Sequence, residues 1–190
     1  MITMLLGMLL FFGMHSLAIA APAYRDQKVA ALGAGRWKLI YSLVSLLGFV
    51  LMVQGYALQR FEPQLLYVPP VGLRHVAALL MLPVFPLLLA TYLPGHVKRL
   101  AKHPMLVAVK FWALAHLLAN GMLADVLLFG GFLLWAVLDR ISLKRRALAV
   151  PAPAKGPILN DVIVIVGGLG LYAAFVMGLH LRLFGVAPFG

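Results

Sequence analysis

Residues 105–138 read MLVAVKFWALAHLLANGMLADVLLFGGFLLWAVL. The stretch is apolar on both sides of Asn120-Gly121, a dipeptide that marks turns. One greasy run is thereby split into two, 105–119 and 122–138. Each is shorter than the ~20 residues a membrane crossing usually takes, so a tight hairpin of two short helices is expected. Trp112, His116 and Asn120 are spaced by four and share one helix face. A histidine at membrane depth is costly without a partner and by default marks a functional position.

Working outward, the whole chain has the same character. Of 190 residues, 64% are hydrophobic and only 11% charged, with a mean hydropathy of +1.02. So few charges cannot cover a water-soluble domain of this length. The apolar residues fall in long blocks without the period-two alternation of barrel strands. The fold class is therefore all-α: a polytopic membrane protein, one domain over residues 1–190, built as a bundle of six transmembrane helices. Net charge is +11. With no basic face or folded module beside it, this charge speaks for loops that touch anionic headgroups of membrane lipid and against nucleic acid. The chain has no cysteine. Disulfides, iron–sulfur clusters, thiolate-ligated haem and covalently attached haem are excluded, and histidine is left as the natural metal ligand.

The expected helices are 1–21, 37–59, 73–93, 105–119, 122–138 and 158–184. Segment 22–35 is semi-polar and is placed at the interface. No positive residue precedes the first run, so it is read as a retained helix, not a cleaved signal. Pro83 and Pro86 sit inside the third helix and should kink it. Segment 140–157 is read as a basic, Pro/Ala-rich loop. Arg25, Lys28, Arg36, Lys38, Lys98, Arg99, Lys102, Arg140, Lys144, Arg145, Arg146 and Lys155 then fall on one side, against Arg60, Arg74 and Arg182 on the other. The positive-inside rule makes both termini face away from the cytoplasm.

His15 and His116 are each flanked by apolar residues. The first helix runs inward and the fourth outward. At ~1.5 Å per residue, both histidines lie roughly 15 Å from the cytoplasmic edge. Phe11 and Phe12 precede one and Trp112 the other, while Gly13, Ser16 and Ala113 are small. Two imidazoles at similar depth beside flat aromatic side chains are what a bis-histidine haem, with its iron, needs. The alternative is a pair of core histidines, each hydrogen-bonded to a neighbouring helix. His96 and His103 read as solvated loop residues, and His75 and His180 as interfacial residues near the outer helix ends.

Phe12-Gly13-Met14-His15-Ser16-Leu17 followed by Arg25, His103-Pro104-Met105, Phe111-Trp112-Ala113-Leu114-Ala115-His116-Leu117-Leu118-Ala119-Asn120-Gly121 and Phe129-Gly130-Gly131-Phe132 resemble the NnrU family of bacterial integral membrane proteins. The resemblance covers nearly the whole chain. It implies a link to nitrite and nitric oxide reduction in denitrifying bacteria. The family is similar to the 15-cis-ζ-carotene isomerase, a membrane protein that holds haem b between two histidines. That likeness implies His15 and His116 as axial ligands and a redox-gated isomerase acting on an apolar, polyene-like substrate. The isomerase has a cysteine three residues before its second histidine. Here Ala113 stands there, which removes any ligand exchange through a thiolate. The other function is a non-enzymatic membrane factor that helps assemble a nitrogen-oxide reductase or pass it electrons through a redox partner protein, with nitric oxide as a further candidate ligand.

Arg25 and Lys110 fall on the same side of the membrane and suit haem propionates, although a lysine snorkelling to the interface is the simpler reading of Lys110. Asp125 is expected to pair with an outer arginine such as Arg74 or to sit at headgroup level. Gly170, Ala174 and Gly178 form a small-residue stripe suited to helix packing.

Overall fold

A computed structural model describes residues 1–146 and 156–188, the side chain of Arg146 excepted. Lys155, counted above among the loop cations, lies outside the described residues. The helices are α1 (Ile2–Ala20), α2 (Pro22–Leu32), α3 (Ala34–Gln59), α4 (Leu73–Met81), α5 (Val84–Ala90), α6 (His96–Ala101), α7 (Pro104–Ala119), α8 (Leu123–Arg146), α9 (Ile158–Ala174) and α10 (His180–Phe184), with a π-turn at Phe175–Leu179 joining the last two. Among the described residues five segments are long and apolar enough to cross a membrane: α1, α3, α4 with α5, α8, and α9 through α10. Large apolar side chains such as Leu9, Leu46, Leu79, Leu134 and Val166 are exposed along them. A surface of this kind suits lipid, because each helix satisfies its own backbone. The 16-residue α7 is shorter. At 1.5 Å per residue it reaches about 24 Å.

Chain contacts divide the molecule into two compact units, Met1–Leu66 with Met122–Gly131, and Tyr67–Gly121 with Phe132–Gly190. In the first, α1 packs on α3 through glycines. An added Cβ on Gly48 would lie 2.7 Å from the Phe11 nitrogen, and one on Gly7 would lie 2.7 Å from the Gly48 carbonyl oxygen. Small residues let the two backbones approach, which is how apolar helices associate where water supplies no driving force. The α2 helix fills the segment expected at the interface.

In the second unit Val84, Leu87 and Ala108 form a core with Met81, Val97, Phe111 and Trp112 around it. The expected kink is present: α4 ends at Met81 and α5 starts at Val84, with Leu82 and Pro83 between them in right-handed helical geometry, so the two make one bent span. Proline cannot donate to the helix ladder, and Pro86 is tolerated in the first turn of α5, where donors have no helical partner. Gly168 of α9 meets the Pro86 backbone so closely that a Cβ there would strike it. The stripe expected to pack, within the chain or in a dimer, makes no close contact within the chain: a Cβ on Gly170 or Gly178 would meet nothing within 4 Å. One more expectation is corrected. Residues 140–146 are helical, so α8 has 24 residues and is not a short element. Its interior has no Pro, and its Lys and Arg residues are good helix formers.

Candidate functional site

Proline at the first position starts α7; Trp112 and His116 lie on its last two turns, and Asn120, expected on the same helix face, is the extended residue that ends it. His116 donates its Nδ1–H to the Trp112 carbonyl at 2.8 Å. Asn120 gives both its backbone N–H, at 2.8 Å, and its amide nitrogen, at 3.0 Å, to the His116 carbonyl. The hydroxyl of Tyr67 caps the carbonyls of Leu117 and Asn120. The end of α7 is thus fixed by side chains that satisfy its unpaired carbonyls. The Trp112 ring lies 5.3 Å from that of His116 and meets Phe132 edge-on.

A cavity of about 200 Å³ opens beside His116. Ala77, Ala78, Met81, Phe85 and Phe175 give it apolar walls, and Arg74, Asn120, Tyr172 and His180 add polar groups. Tyr172 donates its hydroxyl to the Ala78 carbonyl at 3.2 Å. His180 enters where the backbone leaves helical geometry at Gly178, whose φ is 164°. Gly185, at φ 71°, then turns the chain back, and His180 donates its Nδ1–H to the Val186 carbonyl at 2.6 Å. Only glycine takes that left-handed conformation without strain. An apolar pocket with a few convergent polar groups is the usual form of a ligand site.

His15 belongs to the first unit. It also donates its Nδ1–H one turn back, to the Phe11 carbonyl at 2.7 Å. Its ring stacks on Phe11 at 4.1 Å and lies 5.2 Å from that of Tyr41. Phe12 meets Phe11 edge-on and lies close to Gly131. Arg25 is paired with its neighbour Asp26 at 2.7 Å, both side chains largely exposed. Lys110 is half-buried on α7, in the second unit, with no described carboxylate in salt-bridge reach. The residues proposed from sequence therefore fall into two sets: His15, Phe12 and Arg25 in one unit, His116, Trp112 and Lys110 in the other. Imidazole nitrogen is a ligand type that haem iron takes, and the two candidate histidines, His15 and His116, fall in different units. Both have Nδ1 engaged by a backbone carbonyl, the outer-shell bond that orients metal-binding imidazoles. Among the described residues there is no group of three or more His, Cys, Asp or Glu able to hold a metal ion.

Residues 3–188 match the model of the NnrU family, described as NnrU protein. The chain belongs to the NnrU family. No curated protein and no solved structure matches it.

Two polar arrangements in this NnrU family member were not apparent in its sequence. Asp161, buried in the first turn of α9, accepts from the His96 and Val97 backbone N–H groups, both at 3.0 Å, and from His96 Nδ1 at 2.9 Å. His96, expected to be merely solvated, has an exposed ring with a carboxylate partner. Asp125, also buried, accepts from the Tyr56 hydroxyl at 2.6 Å and from the Met122 N–H at 3.1 Å. The signal available in sequence was the rarity of acids: with only five in the chain, one inside an apolar helix calls for a partner. That His180 shares a cavity with His116 had no signal at all.

Proposed function

We propose that this chain is a multi-pass inner-membrane factor that supports nitrite and nitric oxide reduction in denitrifying bacteria. It does so by helping to assemble the reductase or by passing electrons to it through a redox partner protein. The observation that carries this reading is the family match over residues 3–188. Within it the chain is one domain of six crossings, with α7 as the short fourth span beside α8 and both termini periplasmic. The test is deletion of the gene in a denitrifying host. Intact cells should lose much of their nitrite and nitric oxide consumption. If an artificial electron donor restores activity to extracts, the role is electron supply; if it does not, the role is assembly. Unchanged consumption in the deletion strain overturns the reading.

A second reading is favoured by the matching hydrogen bonds of His15 and His116. Here the two imidazoles hold haem b, with Phe12 and Trp112 as aromatic neighbours and Arg25 and Lys110 as cations for the propionates. Haem iron would supply one-electron transfer or, with an axial position open, nitric oxide binding or Lewis-acid chemistry on an apolar alkene. The chain's own part is to orient each ring through its Nδ1–H. An isomerase role rests on the resemblance alone, and Ala113 removes its thiolate. A reduced-minus-oxidised spectrum of the purified protein tests it: sharp α and β bands lost in both His15→Ala and His116→Ala support it, and a colourless protein made with ample haem refutes it.

A further inference from the structure

The cavity of the second unit grades from polar to apolar. Arg74 at the start of α4, Asn120 at the end of α7 and His180 at the start of α10 bring polar side chains to it from helix ends. Met81, Phe85 and Phe175 line it more than a turn farther along their helices, and the two phenylalanine rings are 4.9 Å apart, tilted by 42°. No Asp or Glu is among the described lining residues. A site with polar groups at one end and flat aromatic walls at the other takes an amphipathic ligand that carries a ring. Its volume of about 200 Å³ is room for one substituted six-membered ring, since a cavity of about 150 Å³ holds benzene. A longer apolar tail on such a ring would lie in lipid.

The hydrogen-bonding capacity of the wall selects the groups on the ring. His180 gives its Nδ1–H to the Val186 carbonyl at 2.6 Å, so the neutral imidazole carries its lone pair on Nε2. Tyr172 gives its hydroxyl proton to the Ala78 carbonyl at 3.2 Å and keeps lone pairs on its oxygen. Asn120 gives one amide hydrogen to the His116 carbonyl and keeps its own carbonyl oxygen and a second amide hydrogen. The wall is thus richer in acceptors than in donors. A hydroxyl both donates and accepts and so satisfies it. A carbonyl only accepts and would leave the His180 lone pair unmet, at a cost. The His180 ring is positioned for this by irregular backbone: a π-turn, the kink at Gly178 and the left-handed Gly185. It also packs against Phe184 at 4.9 Å. π-turns occur frequently at functional sites.

We propose that this cavity binds a membrane quinol, a dihydroxy ring on an apolar tail, with His180 Nε2 accepting the hydrogen of one hydroxyl. The site prefers the reduced ring to the oxidised quinone because only the reduced ring has hydrogens to give. A quinol is a lipid-soluble carrier of electrons, so the proposal deepens the electron-supply form of the function above and rests on that reading for its purpose.

The test uses the full chain in nanodiscs of zwitterionic lipid, with empty nanodiscs as the blank. The probes are decyl-benzoquinol kept under reductant, decyl-benzoquinone and oleate. Decyl-benzoquinol should bind saturably, at about one per chain, and at least about tenfold more tightly than the quinone, the effect of one unmet buried hydrogen bond. His180→Phe keeps a flat ring and loses the acceptor. It should weaken the quinol about tenfold and leave the quinone nearly unchanged, a loss of preference that misfolding cannot produce. Tyr172→Phe should narrow the preference in the same direction and serves where His180→Phe does not fold. Ala78→Phe, which fills the cavity, should abolish binding of both forms. Binding no greater than the blank overturns the proposal. Equal affinity for quinol and quinone overturns it, as does a preference for oleate, which would assign the cavity to an acyl carboxylate. An undiminished preference in His180→Phe also overturns it. The assay contains no reductase, so failure here leaves a deletion phenotype standing, and unchanged nitrogen-oxide consumption in the deletion strain leaves a measured quinol affinity standing.

Discussion

The Tyr56 hydroxyl donates to Asp125 Oδ1 across 2.6 Å, joining residues 69 positions apart. The second carboxylate oxygen accepts the Met122 N–H. Asp125 is only 5% exposed and sits in the first turn of α8, where a carboxylate also meets the positive end of the helix dipole. Tyr56→Phe leaves one buried oxygen without its donor. The expected cost is about 1–3 kcal/mol, read as a lower thermal midpoint in detergent with the helical circular dichroism unchanged. A midpoint equal to wild type would mean that the bond contributes nothing.

Asp161 is the corresponding tie in the second unit. Its two oxygens meet two backbone N–H groups and the His96 ring, while Asn160 donates to the Pro94 carbonyl at 2.7 Å. The α6 start is thereby fixed against α9. Asp161→Ala removes every acceptor at once and should destabilise by about 2–3 kcal/mol, with Asp161→Asn, which keeps one oxygen, costing less. Hydrogen exchange should speed up first at His96 and Val97. A Cβ on Gly95 would stand 2.5 Å from Asp161 Oδ1, so Gly95→Ala should give a similar pattern.

Gly7 and Gly48 test the α1–α3 contact. In an open helix Gly→Ala gains up to about 1 kcal/mol. Here the new methyl meets backbone, and overpacking of this kind costs about 1–3 kcal/mol. Gly48→Ala should therefore lower the thermal midpoint, and Gly130→Ala, with nothing within 4 Å of its Cβ, should not. Equal midpoints for the two variants would show that the helices can move apart without cost.

His103 lies between α6 and α7, outside the spans. Partial burial lowers its pKa from 6.5, Arg140 and Lys102 lower it further, and Asp139 opposes them. Because the unfolded chain then binds the proton more readily, stability is full above the ordinary histidine range. It falls as pH drops from about 6.5 toward the lower folded value. The ring is only half-buried, so the effect is small. Wild type should lose slightly more of its thermal midpoint than His103→Gln between about pH 8 and pH 5. Parallel pH curves would remove His103 from the account.

Helix existence was legible because lipid-facing helices need apolar residues in unbroken blocks, and because Asn120-Gly121 and Pro83 interrupt them. The ends were less legible. Lys144, Arg145 and Arg146 looked like loop on charge alone, yet they continue α8. Charge reports contact with water or headgroups, which an emerging helix end has as well as a loop. Within the chain the close contacts are made by Gly7, Gly48 and Gly168 and not by the stripe at Gly170 and Gly178. A small residue permits close approach but does not say which partner comes near.

By itself the sequence determined that this is a helical membrane protein of the NnrU family, with histidines placed in apolar helices. Composition and local spacing suffice for that, since both follow from lipid as solvent and from the helical repeat. Only the tertiary structure decided which polar groups meet. Asp161 with His96, Asp125 with Tyr56, and His116 with His180 are each more than sixty residues apart. Nothing in local propensity encodes such pairs. They arise when helices pack and a buried polar group must find its partner or raise the energy of the whole fold.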